Sequence, residues 1–355
     1  MSTTSATPRA ATGPGSLLRA ELGRLRHRRL VLALVLLSAI ALLGATAIVF
    51  ATHDRDVAGA RAEAQVVFDQ SVAGQIEYNR QCRADPNVPD KEVNCPSEQI
   101  DPSQTAASFY RDPRLRADQG LPGFALGVGV GGALLMGLVG ATAVGADWSS
   151  RAIVTLLTWQ PRRLRFLATR LGAIAVAGAV LGVVGQLLGL ALGALTVATR
   201  GTFAPSPAPL DAAFPSEGPG LVAAAHFWRD LVSLQGRGVL LMILAGVAAA
   251  SIAMITRSTG GFLGVALGWF VIVEVAGQGL LASRAPALAQ WTLTQNVTAL
   301  LTPGGATIYA GDQMTYGVFT PREIHVSNLD ALWHLGLLAV AVALVAAVLL
   351  RRRDL

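Results

Sequence analysis

Long apolar runs alternate with polar, arginine-bearing stretches along the 355-residue chain. Six runs, 30–51, 122–146, 168–198, 237–256, 260–282 and 330–350, reach the roughly 20 residues that an α-helix needs to cross a hydrocarbon core of about 30 Å. The pattern predicts an all-α integral membrane protein with six transmembrane helices. Within the runs, small residues recur every four positions. Gly129, Ala133, Gly137, Ala141 and Gly145 mark the second run, Gly185, Gly189 and Gly193 the third, and Gly260, Gly264 and Gly268 the fifth. Such spacing lets helix backbones approach closely in lipid, either within the chain or between subunits.

The intervening segments have their own patterns. Residues 1–15 are rich in Ser, Thr, Ala, Pro and Gly and are predicted to be disordered. Residues 16–29 read as a basic helix with Leu18, Leu22 and Leu25 on one face, suited to the inner headgroup layer. Residues 52–121 form a polar external segment; Ala58 to Arg80 is predicted helical, and Pro86, Pro89, Pro96 and Pro102 mark loops. An amphipathic helix is expected over Leu221–Leu234, and a short interfacial or re-entrant one over Leu288–Leu301. Arg24 to Arg29 before an apolar stretch, with Ala45-Thr46-Ala47 after it, resembles a signal peptide. The run continues through Phe50, so the first span is read as retained.

Charge orients the spans. All but one of the 28 basic residues are arginine, the exception being Lys91. The N-terminus, the 147–170 segment, the turn at Arg257 and the C-terminal tail together hold 15 arginines against Glu21, Asp147 and Asp354. The opposite side is rich in acids. Basic residues near span ends stay in the cytoplasm, so both termini are expected inside, as an even number of spans requires. The net charge of +6 then reports topology and contact with anionic membrane lipids rather than nucleic acid. The arginine bias suggests a GC-rich bacterial genome, and the chain is expected in the cell membrane.

Few residues offer chemistry. Cys82 and Cys95, the only cysteines, lie in the external segment, where a disulfide can form. Closing that loop contributes about 3 kcal/mol on the chain-entropy account. A P-loop needs a lysine after glycine, and Lys91 follows Asp90. The five histidines show no metal-ligand spacing, and no hydrolase motif is present. The expectation is a non-enzyme with no metal and no cofactor of its own. Glu274 is an ionisable residue inside a span. It is read either as part of a substrate or proton path or as a glutamate held by hydrogen bonds, with Gln278 at i+4 as partner. Gln186 is read as interhelical glue.

The segment Gly145–Arg163 is the most distinctive. Asp147 or Ser149 is expected to cap a helix over 147–160, with Asp147 and Arg151 paired at i, i+4. Trp148, Ala152, Leu156 and Trp159 fall near one stripe, with Ile153 and Leu157 beside it, and Pro161 ends the helix. Arg162, Arg163 and Arg165 follow. This stretch resembles the permease subunits of ABC transporters of the ABC-2 type, whose signature runs approximately Gly-x-Glu-x-x-x-Gly-Thr-x-x-x-Leu-Leu-x-x-Pro-x-x-Arg between the second and third spans. Gly145, Leu156, Leu157, Pro161 and Arg163 match it. Asp147 stands for the glutamate, and Arg151-Ala152 replaces the Gly-Thr pair. Trp159-Gln-Pro-Arg-Arg-Leu164 is similar to the form of actinobacterial members.

The resemblance implies an ABC-2 exporter-type permease fold over 30–355, paired as a homo- or heterodimer and driven by separate ABC ATPase subunits that bind the ATP. Its coupling residues would be Asp147, Trp148, Arg151, Leu156, Leu157, Trp159, Pro161 and Arg163. A second reading is an accessory or receptor-like membrane protein that binds a partner through 52–121. A third, a secondary transporter, expects inverted repeats and paired midplane polar residues, and neither is clear in the sequence.

Overall fold

The computed structural model describes residues 14–95, 104–150, 152–153, 162–203, 226–277, 286–310, 314–315, 318–319 and 322–352. In chain order its helices are α1 (Pro14–His27), α2 (Arg29–Thr52), α3 (Val57–Ala84), α4 (Ala117–Ser149), α5 (Arg163–Arg200), α6 (Phe227–Thr256), α7 (Thr259–Trp269), α8 (Leu293–Leu301) and α9 (Asn328–Arg352). A π-helical stretch, Phe270–Ala276, continues α7. Among the described residues, six helices are long and apolar enough to cross a membrane: α2, α4, α5, α6, α7 with its π continuation, and α9. The protein is a multi-pass membrane protein.

All six predicted spans are present, with shifted ends. α4 starts at Ala117 and carries Pro122 internally; α5 takes in the arginines that open it. The expected break between an amphipathic helix and the fourth span is absent, because α6 runs unbroken from Phe227. The fifth span is helical from Thr259 to Ala276, and residues 278–282 of its predicted course lie outside the described residues. Besides helices there is a small antiparallel ladder of β1 (Ala306–Ala310) and β2 (Arg322–Val326), paired Ala306 to Val326 through Ala310 to Arg322. Its entry turns on Gly305, at φ +103°, where a Cβ would meet Val326 O at 2.2 Å; only glycine fits there.

Two compact units are distinguished. The first comprises residues 1–43, 122–190 and 230–355. Its core is built from Met136, Val139 and Val144 of α4, Phe166 and Ile174 of α5, and Met242, Ala250 and Met254 of α6, with Ala346 and Leu350 of α9. The small residues of α4 face α6: a Cβ on Gly129 would lie 3.3 Å from Gly238 Cα, and one on Gly137 would lie 4.0 Å from Ala249 Cβ; beside the series, one on Gly140 would lie 2.3 Å from Gly246 O. The four-residue spacing in α4 thus serves packing within the chain. In α5, Gly185 and Gly189 admit Val128.

The second unit comprises residues 44–121 and 191–229. α3 begins at Asp56, whose Oδ1 accepts the Gly59 N–H at 2.8 Å and so satisfies a free helix-end donor. Two single helical turns follow, Lys91–Asn94 and Ala106–Phe109. Cys82 and Cys95 form the expected disulfide, with Cα atoms 5.8 Å apart. The strand pair Leu115–Arg116 and Gly201–Thr202 and the Arg200 guanidinium over Phe50, 4.3 Å from the ring centroid, complete the unit. Arg116 grips Asp118 through two hydrogen bonds, of 3.0 Å and 2.5 Å; those bonds raise its pKa.

Candidate functional site

The arginine-rich ends of the spans in the first unit are joined by one buried charge cluster. α1 is amphipathic, and Leu18, Leu22 and Leu25 pack against the core rather than lying free at a membrane surface. Its last turn and the link to α2 bring Arg24 and Arg28 to the end of α4. Arg28 donates to Thr142 O at 3.2 Å and Ala143 O at 2.8 Å and pairs closely with Asp147. Arg24 lies 3.5 Å from the same carboxylate and 3.2 Å from Glu21. Arg170, two turns into α5, pairs with Asp147 and Ala143 O and stands 3.6 Å from Glu21.

The electrostatics explain why so many cations gather. Asp147 sits in the last turn of α4, where the helix dipole is negative and a carboxylate is disfavoured. It is also only 4% exposed, as is Arg170, so neither charge has water to fall back on. Guanidinium groups relieve both problems: they neutralise the carboxylate and bond the carbonyls near the helix end. Arg suits this role because its planar fork donates in several directions at once. Three arginines against Glu21 and Asp147 leave the cluster one positive charge in excess.

This arrangement corrects one sequence expectation. Asp147 does not open a new helix; it belongs to the final turn of α4, and Ser149 Oγ bonds back to Ala146 O at 3.0 Å. Its partners come from α1, the α1–α2 link and α5. Trp148 is half-buried. Its indole N–H points to Met254 Sδ at 3.3 Å, and the Arg257 guanidinium lies 5.0 Å from its ring centroid. Gly145 fits the turn between α6 and α7, where a Cβ would strike Thr259 N and Oγ1 at 2.4 Å. Ile153 is buried, and Arg163 Nη1 donates to Leu350 O at 3.2 Å. Arg151, Leu156, Leu157, Trp159 and Pro161 lie outside the described residues.

No family model matches this chain, and no curated protein matches it.

The remaining sequence candidates are structural in placement. Glu274, 4% exposed, accepts the Leu293 N–H at 2.7 Å, the Thr294 N–H at 2.9 Å and the Trp269 indole N–H at 3.1 Å. It caps the N-terminus of α8 across 19 positions of sequence. Gln278, the partner expected at i+4, lies outside the described residues. Gln186 donates to Ala125 O at 3.2 Å, a bond from α5 to α4. Asn296 is a third buried polar group. Asn296 donates to Gln290 O at 2.7 Å and Thr292 O at 2.8 Å, so its Oδ1 accepts from His334 Nδ1 at 2.9 Å. Asn296 is 1% exposed, which removes its Asn-x-Thr triplet as a glycosylation acceptor. Among the described residues no group of His, Cys, Asp and Glu could hold a metal.

Proposed function

We propose that this chain is the membrane-spanning permease subunit of an ABC-2 type transporter, an exporter driven by a separate ATPase. The observation that carries the reading is the cluster at Asp147. It ties α1, the end of α4 and the start of α5 into one body, and these two spans flank residues 150–162. Force applied to that segment therefore reaches two spans and the N-terminal helix together. The ligation of an ATPase there would couple nucleotide state to the spans, provided its two states contact the segment differently. The positive-inside rule places this end in the cytoplasm, where such a motor resides, and the chain carries no P-loop lysine of its own.

The test is affinity purification from native membrane. Leu156→Asp and Trp159→Glu are expected to leave insertion intact and to remove a co-purifying P-loop ATPase. Unaltered ATPase binding and coupling in both variants would refute the reading. An accessory, partner-binding role has one observation in its favour: Val66, Val67, Ile76 and Tyr78 are exposed on the disulfide-bearing segment. Capture of an external partner, lost on substituting these four with serine while no ATPase is recovered, would favour that role instead.

A further inference from the structure

α5 and α9 present two apolar stripes to each other at the arginine-rich end. Leu164, Leu167 and Leu171 of α5 and Val340, Leu344 and Ala347 of α9 line a groove of about 330 Å³. Both sets follow the three- and four-residue spacing of one helix face. Leu164, Val340 and Leu344 are exposed, so the groove opens outward rather than into the core. The α9 stripe continues one turn beyond Ala347 to Arg351, which is exposed. From the other wall Arg163 reaches Leu350 O. The groove is thus apolar along its length and cationic at one end. Seven residues of helix make it roughly 10 Å long, about two-thirds of one leaflet's share of a 30 Å hydrocarbon core.

We propose that this groove binds an anionic phospholipid of the leaflet at the arginine-rich end. One acyl chain lies between α5 and α9, and the headgroup phosphate meets Arg351 and Arg163. Guanidinium and phosphate match in charge and in hydrogen-bond geometry. A second copy of the chain fits less well, because a two-fold contact through this face would bring Arg351 toward the same arginines of its mate. The site is independent of any ATPase partner and needs only that α5 and α9 span the membrane.

The test uses the full-length protein in mild detergent, delipidated and then offered phosphatidylglycerol or phosphatidylcholine, with retained lipid counted by native mass spectrometry. Phosphatidylglycerol is expected to be held preferentially. Arg351→Gln should weaken that retention about fivefold, the effect of one arginine near an anionic surface. Leu344→Trp, which fills the groove from an exposed position, should displace the same lipid and leave phosphatidylcholine binding unchanged. Equal retention of the two lipids, or wild-type retention in both variants, would overturn the proposal. So would spontaneous dimer crosslinking of Leu344→Cys in membranes, since the two native cysteines are disulfide-bonded and the new thiol would report a second copy on this face.

Discussion

Removing the carboxylate of Asp147 leaves Arg24, Arg28 and Arg170 facing Glu21 alone. Arg170 is 4% exposed and cannot recover its hydration by turning outward. Deleting one partner of a buried pair costs about 3–5 kcal/mol, because the other charge is stranded. Asp147→Ala is therefore expected to destabilise the protein in detergent by that amount, lowering the unfolding temperature on the order of 5–10 °C. A local readout accompanies the global one. With its anchor gone α1 should undock, and trypsin should cut at Arg24, half-buried in the wild type, faster than in the wild type. The double variant Asp147→Ala with Arg170→Met removes the stranded cation as well. It should be more stable than the sum of the single variants, with a coupling of about 0.5–3 kcal/mol. The Asp147–Arg170 pair is shielded from solvent ions, so 1 M salt should not mimic Asp147→Ala, whereas it would screen an exposed pair. A loss below about 1 kcal/mol, the worth of a surface ion pair, or strict additivity in the double variant, would refute the assignment of Asp147 as the hub.

Glu274→Ala strips two N-terminal N–H groups of α8 and one indole N–H of their acceptor; at about 1–3 kcal/mol for each stranded donor, a loss near 4 kcal/mol is expected in thermal unfolding. A proton-path role predicts the opposite outcome, normal stability with failed transport. Gly140→Ala must push α4 from the Gly246 carbonyl 2.3 Å away and should cost about 1–3 kcal/mol as overpacking, while Gly264→Ala, whose Cβ meets nothing within 4 Å, should be neutral by the same melt. Cys82 and Cys95 should resist alkylation until reductant is added, and immediate labelling of both would contradict the disulfide.

The spans are legible because hydrophobic length is a local property, and so is the body of the α3 helix, though not its capping Asp56. The partners of the polar residues were not readable, and the two clearest cases share a reason. The spacing pairs Asp147 with Arg151 and Glu274 with Gln278, since i, i+4 is the only neighbour relation a lone helix displays; both of those partners lie outside the described residues. The partners that the fold supplies to Asp147 include Arg28, 119 positions away in the α1–α2 link, and Arg170 on α5. Glu274 meets the backbone N–H groups of Leu293 and Thr294, donors that every residue but proline carries and that leave no mark in sequence. The β1–β2 ladder escaped notice for a different reason. Its five-residue strands are too short and mixed to show a clear two-residue alternation, and Gly305 gains its meaning only from the carbonyl beside it.

The Asp147 cluster also imposes an order on biogenesis. Glu21, Arg24 and Arg28 leave the ribosome first, and Arg170 follows about 140 residues later, a lag of roughly 7–28 s at 5–20 residues per second. Until α4 and α5 have been inserted, the N-terminal helix has neither its carboxylate nor its apolar seat. During that interval its arginines have only lipid phosphates to meet. Docking of α1 is therefore a late event in synthesis, one that reports whether the first three spans have been laid down in the right order.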